Sequence, residues 1–184
     1  MRRLAVLSLV ALAAATSVAS AQAPAAPMAP EVGSMAPDFT AAWGDASGAK
    51  AAPLKLSSLR GKVVVLAFYP KDRTSGCTAE MSKFRDEYAK LFGPDVVVLP
   101  ISGDSVSSHV SWASDMKFPF ALVSDPAMST ADLYGSRRPG SPMANRNVFV
   151  IGKDGKIVWR GVPFNALAQE GYDNLAAAIV KARG

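Results

Sequence analysis

The sequence predicts an α/β fold in which helices cover both faces of a mixed central sheet, forming a three-layer sandwich. Two observations lead to this prediction. Between residues 62 and 135, continuous β-branched and aromatic runs alternate with segments of helical spacing, a pattern typical of parallel strands joined by helical crossovers. Two further apolar runs, separated by Lys153-Asp154-Gly155, then predict a β-hairpin before a closing helix.

The predicted strands are runs of apolar residues bounded by turn residues. Residues 62–69 and 96–102 are typical of buried central strands. Pro100 lies in the second run, and because proline has no N–H, we expect an edge position or a local bulge there. Further strands are predicted at residues 118–123, 147–152 and 156–161, with one or two short ones around Phe39 and Leu54 in an otherwise irregular segment, 31–59.

Apolar residues at helical spacing predict four helices. They are one through Met81, Phe84, Tyr88 and Leu91 that stops at Gly93-Pro94, one through Val106, Val110, Ala113 and Met116, one from Asp125-Pro126 to Gly135, and one over residues 166–183 with Leu175 and Ile179 inward. Asp104 or Ser105 is predicted to cap the second helix. Residues 137–145 are predicted to form a loop.

The chain is predicted to have three parts. Residues 1–21 have the basic start, apolar run and small-residue cleavage pattern of a secretory signal, so we expect an exported protein, periplasmic or secreted, that leaves the membrane after cleavage. An uncleaved membrane anchor is the alternative, but the apolar run is short for a span. Residues 22–30 are an Ala/Pro-rich leader and 31–184 a single domain. Its scattered charges give no support for nucleic-acid binding.

Cys77 is the only cysteine of the chain, so it cannot form an internal disulfide. It follows the strand predicted at 62–69 and lies in the first turn of the next helix. Unpaired backbone N–H groups and the helix dipole favour an anion at that position. We therefore expect a nucleophilic thiol, although a buried, inert cysteine is the alternative for any lone cysteine.

Three residues around Cys77 form a spaced motif. Pro70, Thr74 and Cys77 have the spacing Pro-x-x-x-Thr-x-x-Cys, and Arg146 directly precedes the strand predicted at 147–152. Together with the surrounding sequence between Gly33 and Arg160, this motif resembles the peroxiredoxins, and within them the bacterioferritin-comigratory or Q-type group. The resemblance implies a thioredoxin-like arrangement of the predicted sandwich.

The resemblance also implies a thiol-dependent peroxidase that reduces hydrogen peroxide or organic hydroperoxides, with no cofactor and no metal. Cys77 would be the nucleophile and form a sulfenic acid. Thr74 and Arg146 would bind the peroxide and the transition state, and Pro70 would shield the thiolate. Each of these three has a simpler alternative: Thr74 as a helix N-cap, Pro70 as a strand end, and Arg146 as a surface residue.

The sequence departs from the Q-type pattern at one position. Many members carry a resolving cysteine five residues after the peroxidatic one, where this chain has Ser82. The resemblance therefore implies a one-cysteine enzyme whose sulfenic acid is cleared by an external thiol. That thiol would belong to a thioredoxin- or glutaredoxin-like protein, to a small molecule, or to Cys77 of a second subunit.

Other functions of the same fold need residues that this chain lacks. A thiol–disulfide oxidoreductase needs Cys-x-x-Cys, and Thr74 occupies the first of those positions. A copper protein needs paired cysteines and a histidine, whereas this chain has one cysteine and one histidine, His109. A lone histidine is more often a surface or packed residue than a metal ligand. A peroxide sensor or partner-binding protein that uses Cys77 without turnover is the remaining alternative.

Overall fold

The computed structural model describes residues 28–184, so the signal predicted over 1–21 and most of the leader predicted over 22–30 lie outside the described residues. The α-helices and strands within 28–184 are β1 Thr40–Asp45, β2 Gly48–Ala49, β3 Leu54–Lys55, β4 Val63–Phe68, α1 Ser75–Asp86, α2 Tyr88–Leu91, β5 Val96–Ser102, α3 Val106–Met116, β6 Leu122–Ser124, α4 Ser129–Leu133, β7 Asn147–Ile151, β8 Ile157–Gly161 and α5 Gln169–Arg183, and a short 3-10 helix, Leu56–Leu59, follows β3. None of the helices described there is long and apolar enough to span a membrane.

The strands form one mixed sheet with the order β2-β1-β6-β5-β4-β7-β8, and β3 pairs with β1. Strands β4, β5 and β6 are parallel, as the crossover pattern predicts. Strand β1 and the β7–β8 hairpin join antiparallel on either side of them. The predicted mixed sheet is therefore confirmed.

Two hydrophobic clusters pack against opposite faces of this sheet. Helices α1, α2, α3 and α5 contribute to one cluster, while α4 and the segment around Phe39 and Leu54 fill the other. The side chains of β4 alternate between the clusters, with Val63, Val65 and Ala67 in the first and Val64, Leu66 and Phe68 in the second. Burial on both faces explains why this strand reads as a continuous apolar run.

The expectation that Pro100 marks an edge or a bulge is wrong. Strand β5 lies inside the sheet, and its register with β4 passes through Ala67↔Pro100 without a shift. Ile101 O accepts from Tyr69 N on the β4 side, so the N of Pro100 faces β6. The β5–β6 ladder contains only Ile101 and Ser102, so the missing N–H falls where no partner strand needs it.

Three other predicted elements differ in their limits. Residues 31–59 are less irregular than predicted, because β1 is six residues long and pairs with β6. The strand predicted over 118–123 is only Leu122–Ser124, since Phe118 and Phe120 stack on each other in the core instead. The helix predicted from Asp125-Pro126 begins later, at Ser129.

The remaining helices are confirmed with small changes. The helix predicted through Met81 and Leu91 is interrupted at Glu87, which separates α1 from α2. Ser105 caps α3 by accepting from Ser108 N, as one of the two alternatives predicted. The closing helix begins at Gln169 rather than at residue 166, and it buries Leu175 and Ile179 as predicted.

The last residues of the predicted leader are attached to the domain. Arg160 Nη1 donates to Ala29 O at 3.0 Å and to Pro30 O at 3.2 Å. The Arg160 guanidinium also pairs with Glu31 at 2.8 Å. Residues 29–31 therefore contact strand β8 through Arg160.

Truncation of Leu66 tests the central position of β4. Leu66 is fully buried, and Leu66→Ala is expected to lower the free energy of unfolding by about 2–5 kcal/mol, because the core loses apolar contacts and keeps a cavity. Urea denaturation followed by circular dichroism measures this change. The exposed Val180 supplies the control, since Val180→Ala should change stability by less than about 0.5 kcal/mol. Equal effects of the two substitutions would contradict the placement of β4.

Candidate active site

Cys77 lies at the edge of the sheet where the parallel strands end. Strand β4 ends at Phe68, residues 69–74 form the connection, and Cys77 is the third residue of α1. The first hydrogen bond of the helix runs from Thr78 N to Thr74 O at 2.8 Å. The N–H groups of residues 75–77 therefore have no acceptor within the helix, and they surround the thiol with partial positive charge.

Arg146 meets Cys77 through the pairing of β7 with β4. The antiparallel register places Asn147 opposite Phe68, so the preceding residue, Arg146, lies beside the connection to α1. Its Nη2 donates to Cys77 Sγ at 3.4 Å, across 69 positions of sequence. The thiol is 1% exposed and the arginine side chain 20% exposed. A fixed positive charge in such a partly buried place favours the thiolate.

Glu80 belongs to the same cluster and is not among the residues predicted from the sequence. Its Oε2 accepts from Arg146 Nη1, and its side chain is fully buried one turn after Cys77. Burial raises the pKa of Glu80 from 4.5 to about 7, against the lowering effect of Arg146. Its Oε1 is buried and has no hydrogen-bond partner among residues 28–184.

A local signal for Glu80 exists in the sequence. Residues three apart on a helix share a face, so an acidic residue three positions after Cys77 is expected beside it. Its neighbours Met81 and Phe84 are apolar core residues, which makes the carboxylate on this side of the helix unusual. A glutamate with no known partner is predicted to be solvent-exposed. The partner of Glu80 is Arg146, which is 66 positions away, so the local sequence does not reveal it.

Thr74 occupies the N-cap position of α1, but its side chain makes no capping hydrogen bond. The hydroxyl instead donates to Lys71 O at 3.1 Å. Because the hydroxyl proton is used in that bond, the lone pairs of Oγ1 are available to accept a hydrogen bond from a peroxide O–H. Thr74 therefore has the position of an N-cap residue, but its hydroxyl makes a different hydrogen bond from the one that a cap would make.

Pro70 follows the end of β4 and is half-buried. It forms part of the wall of a cleft of about 290 Å³ that is also lined by Lys71, Gly103, Asp104, Pro142 and Met143. The structure thus brings Arg146 into contact with both Cys77 and Glu80. Thr74 lies at the start of the same helix, and Pro70 lies in the connection before it.

The comparison with protein families agrees with this geometry. The sequence matches the model of the AhpC/TSA family over residues 32–160, which includes the Cys77 motif and Arg146. The chain belongs to the AhpC/TSA family. Its relatives within this family are peroxiredoxins of the Bcp and Q group, which are thiol peroxidases, and the chain is accordingly an enzyme of that class.

Two curated relatives and one solved structure show the extent of the similarity. A peroxiredoxin bcp of Coxiella burnetii is 40% identical over 137 residues, covering 70% of this chain and 87% of the relative. Peroxiredoxin Bcp of Bacillus subtilis is 33% identical over 143 residues, covering 72% and 86%. The structure of Xanthomonas campestris peroxiredoxin Q matches with a TM-score of 0.65 and 27% identity, covering 79% of this chain and 92% of that one. The fold is thioredoxin-like, as the resemblance implies.

The buried Glu80 is expected to make the stability of the protein depend on pH. Its pKa is about 7 in the folded state against 4.5 ordinarily, so the folded state holds the proton more tightly. The stabilisation from this proton is complete below pH 4.5 and is lost as the pH rises to about 7. Glu80→Gln removes this loss. As the pH rises from 4.5 to about 7, the free energy of unfolding of the variant should therefore increase relative to that of wild type by on the order of 3 kcal/mol.

Urea denaturation of both proteins at several pH values between 4 and 8 measures this difference. Glu170, an exposed glutamate in the first turn of α5, supplies the control, because Glu170→Gln should leave the pH profile parallel to that of wild type. A difference between Glu80→Gln and wild type that does not change with pH would show that the pKa of Glu80 is the same in the folded and unfolded states, and would contradict the raised pKa.

Proposed function

We propose that this protein reduces hydrogen peroxide and organic hydroperoxides with Cys77 as its single redox-active thiol, and that an external thiol recycles it. The observation that carries the proposal is the placement of Cys77 Sγ in the first turn of α1 with Arg146 Nη2 at 3.4 Å. Helix N–H groups and a guanidinium both stabilise negative charge there. The reaction needs this stabilisation at the sulfur before attack and at the leaving oxygen afterwards.

In the first half of the reaction, the Cys77 thiolate attacks the terminal, protonated oxygen of the peroxide. The S–O bond forms as the O–O bond breaks, which gives the sulfenic acid and an alkoxide or hydroxide that takes a proton from solvent. Arg146 and the free N–H groups of the first turn donate to the oxygens where the negative charge develops. Thr74 Oγ1 accepts from the O–H of the peroxide and so orients the terminal oxygen toward the sulfur.

In the second half, the sulfenic acid is reduced by thiols from outside the chain. A first thiol displaces water and forms a mixed disulfide with Cys77, and a second thiol releases the reduced enzyme and carries away the disulfide. Ser82, five residues after Cys77 on α1, has no sulfur with which to form an internal disulfide. The reductant is proposed to be a thioredoxin- or glutaredoxin-like protein or a small thiol.

The cleft beside Pro70 supports organic hydroperoxides as substrates in addition to hydrogen peroxide. Pro142 and Met143 add apolar surface to its wall, and its volume of about 290 Å³ exceeds the needs of hydrogen peroxide alone. Pro70 connects this cleft to the segment that leads to Cys77, so an alkyl chain that lies against Pro70 would contact Pro142 and Met143 as well.

We also propose that the protein works outside the cytoplasm. The support is the pattern of residues 1–21, with a basic start, an apolar run and Ala19-Ser20-Ala21. Mass spectrometry of the protein from the extracytoplasmic fraction is expected to show a mature form that begins at Gln22. An uncleaved chain retained with the membrane fraction would instead support the anchor alternative.

The reaction of the reduced protein with one equivalent of hydrogen peroxide tests the proposal. With a sulfenic-acid trap present, intact mass spectrometry is expected to show rapid labelling that Cys77→Ser abolishes. Thr74→Val and Arg146→Ala should each slow the labelling by about 10²–10³-fold, because each removes a group that binds the peroxide or its developing charge. Thr74→Ser keeps the hydroxyl and is the matched control, with a rate near that of wild type.

Turnover separates the enzyme from the alternative of a peroxide sensor. With excess dithiothreitol, the protein should consume many equivalents of peroxide, whereas a sensor would consume one and stop. A Cys77 thiol that reacts no faster than free cysteine would contradict the proposed function altogether.

A further inference from the structure

A buried polar cluster lies behind the connection that leads to Cys77. It consists of Tyr69 and Asp72 in the connection and His109 on α3, all of which are buried. Asp72 lies midway between Pro70 and Thr74, the two motif residues that precede Cys77. The reaction described above uses none of these three side chains, and buried polar groups that are not paired carry a large free-energy cost.

Asp72 is held by both its side chain and its backbone. The Tyr69 hydroxyl donates to Oδ1 at 2.7 Å, and the Ser108 hydroxyl donates to Oδ2 at 2.7 Å. His109 Nδ1 lies 3.0 Å from Oδ2. The backbone N–H of Asp72 donates to Asp104 Oδ2 at 2.8 Å. Four groups, from the start of the connection, from α3 and from the turn after β5, thus converge on Asp72.

His109 has an acceptor at each ring nitrogen. Nδ1 faces the Asp72 carboxylate, and Nε2 lies 3.2 Å from Val123 O. The Tyr69 hydroxyl is 3.4 Å from Nδ1, but its proton is donated to Asp72 at the shorter distance. A neutral imidazole would direct a lone pair at one of the two acceptors, whereas the imidazolium donates to both. The geometry therefore calls for a positively charged His109, which balances the buried carboxylate.

The surrounding charges are consistent with this assignment. Burial raises the pKa of Asp72, but the hydrogen bond and charge of His109, together with the hydrogen bonds from Ser108 and Tyr69, outweigh it and hold that pKa below its usual range. Burial and the charge of Asp72 raise the pKa of Tyr69 well above its usual value, so Tyr69 is a neutral donor. Arg73, the neighbouring cation, pairs with Asp115 at 2.6 Å on the exposed side of α3.

We propose that His109 and Asp72 form a buried ion pair that positions the connection over 70–74 for reaction with peroxide. The pair is a positioning device, since neither residue contacts Cys77, and it acts through Thr74 and the first turn of α1. Asp72 is two residues from Thr74, so a shift of its side chain displaces the hydroxyl that orients the peroxide. This role rests on the proposed peroxidase function, whereas the ion pair itself does not.

Nuclear magnetic resonance tests the ion pair independently of activity. His109 is the only histidine of the chain, so a protein labelled with ¹⁵N-histidine gives one pair of ring signals that need no assignment. At pH 7 both ring nitrogens are expected to be protonated in wild type, and Asp72→Asn should convert the ring to a neutral tautomer. A neutral ring in the wild-type protein would overturn the ion pair.

The rate of sulfenic-acid formation tests the positioning role. His109→Gln and Asp72→Asn are each expected to slow the reaction by roughly 10- to 100-fold through misplacement of Thr74 and the first turn. The double variant should be no slower than the single ones, because both remove the same pair. Ile157→Val is the control, since Ile157 is a buried residue of β8 in the cluster opposite Cys77, and its rate should equal that of wild type.

The pH dependence of the ratio of rates separates positioning from a general loss of stability. The wild-type rate divided by the His109→Gln rate cancels the ionisation of Cys77. This ratio should fall toward one as rising pH removes the proton of His109. A ratio that does not change with pH, or a slowing equal to that of Ile157→Val, would overturn the proposal. A wild-type thiol that is unreactive with peroxide would instead contradict the proposed function and leave the nuclear magnetic resonance result standing.

Discussion

The antiparallel register between β4 and β7 is the constraint on which the site depends. It sets Asn147 opposite Phe68, and so brings Arg146 beside the thiol at the start of α1. A slip of one residue would direct the side chains of β7 to the wrong face of the sheet. The two hydrophobic clusters prevent that slip, because β7 contributes Val148 and Val150 to one and Phe149 and Ile151 to the other. The packing of the core thus determines the electrostatic surroundings of Cys77.

The site combines charges that the interior does not favour. Arg146 donates to the Cys77 sulfur through one nitrogen and to Glu80 through the other, and Glu80 is fully buried with one oxygen unpaired among the described residues. A buried carboxylate holds the guanidinium in place but competes with the thiolate for its charge. Burial of these charges lowers the free energy of unfolding but fixes the arrangement of hydrogen-bond donors around Cys77, a compromise typical of active sites.

The absence of a second cysteine agrees with a firmly held connection before α1. An internal disulfide between positions 77 and 82 would require the helix to open, since residues five apart on a helix are too distant for a disulfide. With Ser82 in the second position, no step of the proposed reaction needs that opening. The contacts of Asp72 with Tyr69, Ser108 and His109 hold the connection before α1 in one position.

Local patterns in the sequence determined the central strands β4 and β5, the β7–β8 hairpin, the closing helix and the place of Cys77 in the first turn of α1, because each depends on the periodicity and turn residues of its own segment. The tertiary structure alone decided the interior place of Pro100, the pairing of β1 with β6, and the partnerships of Glu80 and His109. Each of these depends on residues distant in the chain, Arg146 for Glu80 and Asp72 for His109. The sequence predicts whether a titratable side chain on a helix is buried only when its partner is known, because such groups are rarely buried unpaired. That partner is brought to it by the folding of the sheet.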